Sequence, residues 1–281
     1  MSPRVIVTGT SGFVGRSLMP LLAARGCEVR GVSSGDAADG AAVLVARVVD
    51  WRPDVVINLA TRFVAEHDVD QIPGLIEANV EFGTLMAEGA VRSGARLVTI
   101  DSAWQHFEGR DYAPVSLYAA TKQALTAITD YYVQVKGLDR RSVVLFDTYG
   151  PGDVRPKLIP SLMRAALTGE PLEMSDGLQL IDLTYVDDVS RGIIDVALGG
   201  VGQETSVLRS GSPLTIREVV AVLETAIDLP VPVSWGVRPA RPREMREDWV
   251  VGAGPSGWSP RVSLQEGLAR TWGDFQRGGA R

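Results

Sequence analysis

A tyrosine and a lysine four residues apart are the first candidates for chemistry in this 281-residue chain. Tyr118 and Lys122 stand in "LYAATKQAL", at the start of a predicted helix, and this spacing puts both on one helix face. A nearby ammonium favours the ionised phenol, so the tyrosine can pass a proton near neutral pH, which suits carbonyl chemistry. A second pair, Tyr132 and Lys136, stands near the end of the helix, and we interpret it as a packed aromatic and a solvated lysine.

Ser102 is the third candidate for this chemistry. It follows the apolar segment "ARLVTI", which predicts a buried strand, and it opens "SAWQHFEG", which contains one of the two histidines, His106. A serine at a strand end can hydrogen-bond the carbonyl oxygen that the tyrosine protonates. A simple capping role at the end of the strand is the alternative.

A glycine-rich turn near the start of the sequence predicts a dinucleotide site. The segment "RVIVTGTSGFVGRSLMPLLAARG" predicts a strand, a turn and a helix, with Gly9, Gly12 and Gly15 in the turn. The first glycine permits a tight turn, the second lets the backbone approach a pyrophosphate, and the third lets the helix pack on the strand. The helix N-terminus then faces the anion. A glycine-rich loop without a ligand is the alternative.

The end of the second predicted strand, "CEVRGVS", bears on the choice of cofactor. The residue there meets the adenosine ribose, and an acidic side chain would repel a 2′-phosphate. Ser33 and Ser34 stand at this position and carry no charge. We therefore expect NADP(H) to be preferred and NAD(H) to remain usable, unless both serines are solvated loop residues. Arg30 or Arg47 would strengthen the preference if either folded inward.

The predicted elements alternate between strands and helices. A helix over residues 42–51, a strand in "DVVINLA", a long helix ending at Gly94 and the strand "ARLVTI" follow one another. This order predicts an α/β fold, a doubly wound parallel sheet of the Rossmann type. Ligands of such sheets bind at the carboxyl ends of the strands, where Ser102 stands.

The length of the chain accommodates two modest domains. We expect a dinucleotide-binding domain over residues 1–150 and a smaller substrate domain over residues 151–281, partly interleaved with the first. "PKLIPSLMRAALTGE" predicts a helix capped by Gly169, and "LTIREVVAVLETAI" predicts another with Thr215 as its N-cap. The proline-rich "RPARPRE" predicts a loop.

Composition and charge narrow the classes of function. The chain is 45% hydrophobic and has a net charge of −6, which is ordinary for a globular protein and gives a nucleic-acid role little support. No apolar run approaches the roughly 20 residues of a membrane span, and "MSPRVIVTGT" does not resemble a signal peptide. The single cysteine fits a reducing compartment. We expect a cytoplasmic protein with a small-molecule substrate and no metal, nucleic acid or membrane partner; a homodimer is left open.

A series of motifs now resembles a known family. The chain is similar to the extended short-chain dehydrogenase/reductases that act on nucleotide sugars in "TGTSGFVG", "NLAT", "NVEFGT", Ser102, "YAATK", "YGPGD" and "LTYVDDV", and the motifs keep their order. The C-terminal "GWSPRVSLQEGLARTWGDF" resembles the closing segment of that family. The resemblance implies bound NAD(P), a Ser/Thr–Tyr–Lys catalytic set and a C-terminal domain that holds a nucleoside diphosphate sugar.

Carried over by position, the resemblance assigns the site residues. Asn79 stands where the family places an asparagine that supports the active-site water and the lysine. The implied catalytic residues are Ser102, Tyr118 and Lys122. The implied cofactor-binding residues are Gly9, Thr10, Ser11, Gly12, Phe13, Val14, Gly15, Ser33, Ser34, Leu59, Ala60, Thr61, Asn79, Tyr118 and Lys122. The implied substrate-binding residues are Phe63, Ser102, Trp104, Gln105, Thr148, Lys157 and Arg241.

Departures from the family pattern bear on the reaction. Sugar 4,6-dehydratases of the family follow the catalytic threonine with an Asp-Glu pair, whereas Ala103 and Trp104 stand here. Neither residue can move a proton, so we expect 4,6-dehydration to be disfavoured. Ile181 replaces an arginine that the family places near the diphosphate.

Asp147 is a further departure, because the family has an asparagine there. A carboxylate beside a diphosphate is repulsive, unless Asp147 turns away to pair with Arg155 or Lys157. Arg241, in "RPARPRE", resembles the family's remaining phosphate-contacting arginine.

The segments "SAWQH", "FDTYGPGDVRPKLIP" and "IDLTYVDDV" resemble one branch, the 4-ketoreductases of nucleotide-activated deoxysugars of the abequose synthase kind. This implies hydride transfer from NADPH to the 4-keto group of a nucleoside-diphosphate 4-keto-6-deoxyhexose. Trp104, Gln105 and His106 would then shape the sugar pocket, although packing under a loop is the alternative for Trp104 and His106. An epimerase that retains its cofactor and a non-catalytic NADP-binding sensor are the other hypotheses.

Overall fold

Strands and helices alternate along the chain as the hydrophobic pattern predicts. The structure is a computed structural model that describes residues 2–200, 203–249 and 251–278. The strands, in chain order, are β1 (Arg4–Thr8), β2 (Glu28–Val32), β3 (Val55–Asn58), β4 (Arg96–Ser102), β5 (Arg140–Leu145), β6 (Asp147–Tyr149), β7 (Leu172–Glu173), β8 (Leu180–Ile181), β9 (Leu183–Tyr185), β10 (Thr205–Leu208), β11 (Leu214–Thr215) and β12 (Val233–Ser234). The α-helices are α1 (Phe13–Ala24), α2 (Ala41–Trp51), α3 (Ile72–Ile76), α4 (Phe82–Ser93), α5 (Leu117–Lys136), α6 (Leu158–Thr168), α7 (Val186–Leu198), α8 (Ile216–Ile227) and α9 (Leu264–Gly278). Within the three described ranges, no helix has the length and apolar character of a membrane span.

The chain divides into two units that interleave along the sequence. Unit 1 comprises Met1–Leu145, Ser190–Leu208 and Val251–Trp258. Unit 2 comprises Phe146–Val189, Arg209–Val250 and Ser259–Arg281. The first change of unit therefore falls after Leu145 instead of at the expected residue 151, because β6 pairs with β9 of unit 2 and not with the large sheet.

Unit 1 is built on a six-stranded sheet in the order β10-β5-β4-β3-β1-β2. All of its strand pairs are parallel. Its central strands are continuous apolar runs, such as the fully buried Val5, Ile6 and Val7, as expected when helices cover both faces. The doubly wound Rossmann-type fold is thus confirmed. The direction in which successive strands are added reverses between β1 and β3. Ligands of such sheets bind at the carboxyl ends of the two strands that flank this switch point.

Helices α2 and α4 cover one face of this sheet. Leu44 and Val48 of α2 are fully buried, as are Met86 and Ala90 of α4, and they share one apolar cluster. Gly89 allows the two helices to approach closely, since a Cβ built there would lie 2.8 Å from Cγ1 of Val48. The expected helix over residues 42–51 corresponds to α2.

The expected long helix before Gly94 contains a feature that periodicity did not predict. Helices α3 and α4 are joined by a π-helical turn over Glu77–Glu81. The helix ends at Gly94, whose φ of 71° gives a left-handed C-cap. The π-turn changes which side chains face the sheet, and Asn79 within it is 1% exposed. Single π-turns often occur at functional sites.

Unit 2 packs helices α6, α8 and α9 around short strands. Leu162, Met163, Val219 and Leu268 are fully buried in its core. Helix α6 ends at Gly169, with a φ of 73°, as predicted. Helix α8 begins at the predicted N-cap Thr215, whose hydroxyl oxygen accepts the backbone N–H of Glu218 in a capping box. The segment "RPARPRE" is a loop, as expected.

A candidate active site at the carboxyl edge of the sheet

The glycine turn after β1 has the geometry of a pyrophosphate cradle. Gly9 has a φ of 66°, and a Cβ there would lie 2.8 Å from the backbone nitrogen of Ala60. A Cβ at Gly15 would overlap the carbonyl oxygen of Gly9. Gly12 is the N-cap of α1, and the first turn of that helix contains no acidic residue. The positive end of the helix dipole is therefore unopposed, and the cradle fits a dinucleotide.

The end of β3 is tied to this cradle by Thr8. Its hydroxyl donates to Oδ1 of Asn58 at 2.8 Å and accepts the backbone N–H of Ala60 at 3.0 Å. Leu59 and Ala60 are partly buried, and Thr61 is exposed. The structure thus brings Leu59 and Ala60 beside Gly9, where the second wall of the dinucleotide site is expected.

A carboxylate stands at the end of β2, where the sequence suggested neutral hydroxyls. Ser33 caps a short 3₁₀ turn, Ser34–Ala37, and its backbone N–H and its hydroxyl both donate to Oδ2 of Asp36 at 2.8 Å. These two bonds hold the pKa of the Asp36 carboxyl below its usual value. Asp36 is therefore ionised at neutral pH, beside the residue predicted to meet the ribose.

Two arginines were expected to favour a 2′-phosphate if they folded inward, Arg30 and Arg47. Arg30 is exposed in β2, and its charge acts on the Asp36 carboxylate, whereas Arg47 is engaged by the turn after β2. Arg47 donates to the carbonyl oxygen of Asp36 at 3.1 Å and to the carboxylate of Asp39. Its charge is thus shared with acidic neighbours in the turn after β2. The inward-folded arginine that would have favoured NADP(H) is not available at Arg47.

Tyr118 and Lys122 lie together in the first turns of α5. Ser116 is the N-cap of this helix, and its hydroxyl oxygen accepts the backbone N–H of Ala119 at 3.3 Å. The cap places Tyr118 in the first turn, and Nζ of Lys122 lies 5.8 Å from the centroid of its ring. The predicted sharing of one helix face is confirmed.

Lys122 is almost fully buried, with 3% of its surface exposed. Burial disfavours the ammonium and lowers its pKa to about 8, while the negative charge of Asp101 acts in the opposite direction. The lysine therefore titrates close to physiological pH. A group with such a pKa can change its charge state during a reaction.

Ser102 is the last residue of β4 and also a cap. Its hydroxyl oxygen accepts the backbone N–H of Trp104 at 3.2 Å, and its own N–H donates to Oε1 of Gln105 at 2.9 Å. The cap uses the oxygen as an acceptor and leaves the hydroxyl proton for another acceptor. The capping role and the proposed hydrogen bond to substrate are therefore compatible.

An aromatic cluster surrounds Tyr118. The ring of Phe63 lies edge-on to Tyr118 at 5.0 Å between centroids, and edge-on to Trp104 at 5.4 Å. Two of the predicted substrate residues, Phe63 and Trp104, are thus beside the candidate catalytic tyrosine. The sequence did not predict the contact between Phe63 and Tyr118, because their separation along the chain gives no periodic signal.

Two residues assigned to ligand binding are engaged within the protein instead. Gln105 is 2% exposed, and its side chain accepts from Ser102 and donates to Gln123 at 3.0 Å. His106 places Nδ1 3.1 Å from the carbonyl oxygen of Arg110 in its own loop. Gln105 thus holds the backbone of Ser102 in place, and its role toward the substrate stays a prediction. The contact of His106 favours the packing alternative for that residue.

Asn79 uses its whole side-chain amide inside the protein. Its Oδ1 accepts from the Thr61 hydroxyl at 2.9 Å and from the Arg62 backbone N–H at 2.7 Å. Its Nδ2 donates to the Arg62 carbonyl at 3.0 Å and to the Thr121 hydroxyl at 2.9 Å. The asparagine thus ties the loop after β3 to the residue next to Lys122. This geometry suits a residue that positions the loop after β3 and the start of α5, and its assignment to the cofactor site stays a prediction.

The remaining predicted substrate residues belong to unit 2. Thr148 is buried in β6, and Arg241 is exposed in the loop after β12. Nζ of Lys157 lies 3.4 Å from Oδ1 of Asp147, which is one of the two pairings expected for that carboxylate. Unit 2 also contains a cavity of about 390 Å³ between β9 and the segment after residue 260, but none of these predicted residues lines it.

The second tyrosine–lysine pair is structural, as expected. Tyr132 is buried with 9% of its surface exposed, and Lys136 is exposed in the last turn of α5. Two acidic residues escaped the sequence analysis, Asp36 and Asp101. The Ser-x-x-Asp spacing of a capping box would have indicated Asp36. A charged residue inside an otherwise apolar strand would have indicated Asp101.

The comparison with protein families agrees with this geometry. The family model described as "NAD dependent epimerase/dehydratase family" matches residues 5–203. The chain belongs to this family. CDP-abequose synthase of Yersinia pseudotuberculosis is 26% identical over 242 residues, covering 80% of this chain and 85% of that protein. UDP-glucose 4-epimerase of Mycolicibacterium smegmatis is 27% identical over 303 residues, covering 95% of this chain and 97% of that protein.

A solved structure extends the similarity to both units. MoeE5 in complex with UDP-glucose and NAD is 27% identical to this chain and superposes with a TM-score of 0.81. The match covers 98% of this chain and 99% of MoeE5. The family and this structural likeness indicate an NAD-dependent enzyme family whose members act on nucleotide sugars.

Proposed function

We propose that this protein is a 4-ketoreductase that reduces a nucleoside-diphosphate 4-keto-6-deoxyhexose at the expense of NAD(P)H. The observation that carries the proposal is the environment after Ser102. Ala103 is 2% exposed and Trp104 packs on Phe63, so this position holds no acid or base for the elimination of water. The similarity to CDP-abequose synthase supports a reduction at the same type of carbon.

The residues of the site suit the two transfers of a ketone reduction. Reduced nicotinamide, when bound, supplies the hydride that forms the new C–H bond at C4. Tyr118 donates its phenolic proton to the oxygen of that carbon, so that the ketone becomes an alcohol. Ser102 donates a hydrogen bond to the same oxygen and stabilises its negative charge. Lys122, in its ammonium form beside the ring, stabilises the phenolate that remains.

The turn after β1 and residues 59–61 would hold the dinucleotide. At the adenosine end of the dinucleotide, two features predict opposite preferences between NADP(H) and NAD(H). The hydroxyls of Ser33 and Ser34 suit the 2′-phosphate of NADP(H), whereas the carboxylate of Asp36 repels it. Because a full charge outweighs two neutral donors, we infer that NAD(H) is bound more tightly than NADP(H), against the expectation from the serines alone.

The test is an assay of cofactor oxidation. The protein is mixed with NADH or NADPH and a panel of nucleoside-diphosphate 4-keto-6-deoxy sugars, and absorbance at the nicotinamide band is followed. NMR of the product then gives the configuration at C4. Loss of reduced cofactor that depends on the sugar supports the proposal, and no loss with any member of the panel argues against it.

A second candidate function is a nucleotide-sugar 4-epimerase. The similarity to UDP-glucose 4-epimerase over 95% of this chain favours it, as does the complete Ser102–Tyr118–Lys122 set. An epimerase oxidises C4 and then reduces it, so its cofactor is restored in every turnover. Interconversion of UDP-glucose and UDP-galactose without net change in cofactor would establish this alternative.

A further inference from the structure

A buried carboxylate lies behind the candidate catalytic residues. Asp101 precedes Ser102 in β4, and it is 8% exposed. The Ser142 hydroxyl, on the neighbouring strand β5, donates to Oδ2 of Asp101, and the Thr126 hydroxyl of α5 lies 3.3 Å from its Oδ1.

This carboxylate meets the same helix face that carries the candidate catalytic pair. Tyr118, Lys122 and Thr126 follow one another at four-residue spacing on α5, so they lie along one face. The Thr126 hydroxyl is also 3.2 Å from the carbonyl oxygen of Lys122. Asp101 therefore contacts α5 one turn beyond Lys122, inside the protein, where solvent cannot screen their charges.

Two cations act on Asp101, and one of them is already paired. Arg140 forms an ion pair with Asp130 at 2.6 Å and donates to the Thr129 hydroxyl at 2.8 Å. Its charge is thus largely balanced by α5 itself. Lys122 is the second cation, and it is buried.

We propose that Asp101 is a positioning residue that keeps Lys122 in its ammonium form. Tyr118 then keeps a cation beside its ring through the reaction, and this last consequence rests on the proposed reductase function. A buried ammonium without a counter-charge would lose its proton at neutral pH, because burial penalises the charged form. A buried ion pair adds little to the stability of the fold. The presence of an aspartate in an apolar strand is therefore better explained by its effect on the protonation of Lys122.

The titration of the two groups supports this geometry. Burial lowers the pKa of Lys122 to about 8, and the Asp101 charge is what opposes a further fall. Burial raises the pKa of Asp101, and its hydrogen bond from Ser142 and the charges of Lys122 and Arg140 oppose that rise. Two groups in this relation titrate as a coupled pair.

NMR of the lysine side chains tests the proposal without substrate or cofactor. The lysines of the chain are Lys122, Lys136 and Lys157, so selective labelling gives a simple spectrum. The Lys136→Arg and Lys157→Arg variants assign it. We expect Asp101→Asn to move the titration of Lys122 to lower pH by at least about one unit.

The matched control is Asp139→Asn, which removes the same charge at the other end of the sheet. Asp139 precedes β5 and pairs with Arg96 at 2.9 Å, far from the end where Ser102 pairs with Leu145. The control should leave the Lys122 titration in place. An unchanged Lys122 titration in folded Asp101→Asn protein would overturn the proposal.

The reciprocal variant keeps the test available if Asp101→Asn does not fold. In Lys122→Met, the carboxyl titration of Asp101, followed by ¹³C NMR, should move to higher pH, since coupling acts equally in both directions. A titration that stays where it is in the parent protein contradicts the coupling.

Activity gives an independent readout that a merely structural role would not move. As pH rises through the pKa of Lys122, the ammonium is lost and kcat/KM for reduction should fall. Asp101→Asn should shift this fall to lower pH by the same amount as the NMR titration, whereas simple destabilisation lowers activity equally at all pH values. A titration shift in a protein that reduces no 4-keto sugar would uphold the Asp101–Lys122 coupling and refute only the reductase function.

Discussion

Tyr118 is the residue whose loss should separate chemistry from cofactor binding. Its phenol is the only group in the proposed set that gives up a proton to the substrate. We expect Tyr118→Phe to lower kcat by a factor of at least about 100, the scale of lost general acid catalysis. The dissociation constant for the dinucleotide should stay within a few-fold of the parent value.

Tyr132→Phe is the matched control on the same helix, because Tyr132 belongs to the structural pair. Its turnover should remain within a few-fold of the parent, measured in the same assay. An equal loss in both variants would mean that the wrong pair was assigned, and near-normal turnover in Tyr118→Phe would remove that residue from the mechanism.

Asp36 allows a second prediction at the residue scale, on cofactor choice. Its carboxylate is fixed by two hydrogen bonds from Ser33, so it cannot easily turn away from a 2′-phosphate. At about 4 Å and an effective dielectric of 20, such repulsion is on the order of 4 kcal/mol before solvent screening. We expect the parent to bind NADH more tightly than NADPH, and Asp36→Asn to shift the ratio toward NADPH by at least about tenfold, which requires only about 1.4 kcal/mol.

Fluorescence titration with both cofactors measures this ratio without any sugar. Asp139→Asn is the control, because it removes a carboxylate that pairs with Arg96 before β5, at the opposite end of the parallel sheet from Ser33. A parent protein that prefers NADPH would show that the serines, and not Asp36, face the ribose. The expectation drawn from Ser33 and Ser34 would then stand.

At the scale of elements, many of the strands and helix ends in both units follow from the sequence. Apolar β-branched runs predict buried parallel strands, and the caps Thr215, Gly94 and Gly169 mark helix ends because they satisfy backbone groups that a helix leaves unpaired. The π-turn around Asn79 could not be predicted in this way. Asn79 in this turn bonds Arg62 and Thr121, which are distant from it in sequence. In addition, the spacing of apolar residues along a helix does not reveal the one extra residue that a π-turn contains.

The same limit applies to the candidate site. Spacing along one helix was enough to pair Tyr118 with Lys122, since α-helical geometry is fixed. The contact of Phe63 with Tyr118 and the burial of Asp101 against α5 arise only when separate elements pack. Such contacts depend on tertiary structure, and local patterns carry no signal for them.

The turn between β1 and α1 gives a prediction at the element scale. Gly9→Ala should weaken dinucleotide binding by more than about tenfold, because the left-handed backbone is strained by about 1 kcal/mol and the new Cβ lies 2.8 Å from the Ala60 nitrogen. The clash displaces the loop after β3, which forms the other wall of the site. Calorimetric titration with NAD and denaturation in urea measure both effects.

Gly26→Ala is a matched control for this variant. Gly26 has a φ of 77°, so the backbone strain is similar, but a Cβ there has no heavy atom within 4 Å. We expect a comparable strain cost in the free energy of unfolding and unchanged affinity for NAD. Equal losses of affinity in the two variants would show that the turn does not hold the cofactor.

At the scale of the whole molecule, the candidate cofactor and catalytic residues lie in one unit, and three of the predicted substrate residues lie in the other. Unit 1 contains the glycine cradle and the Ser102–Tyr118–Lys122 set, and unit 2 contains Thr148, Lys157 and Arg241, which the family resemblance assigns to the nucleotide sugar. The sequence match to UDP-glucose 4-epimerase covers 95% of this chain and 97% of that protein. Architecture alone therefore does not separate a reductase from an epimerase. Only the fate of the hydride separates them.

The most direct measurement is therefore the transfer of deuterium from nicotinamide to sugar. Protein, a nucleoside-diphosphate 4-keto-6-deoxyhexose and NADH or NADPH deuterated at the transferable position of the ring are incubated, and the products are analysed by NMR. For a 4-ketoreductase we predict one deuterium at C4 of the product for each reduced cofactor consumed. Product without deuterium, or conversion of a nucleotide sugar to its C4 epimer with no net oxidation of cofactor, would contradict the assignment.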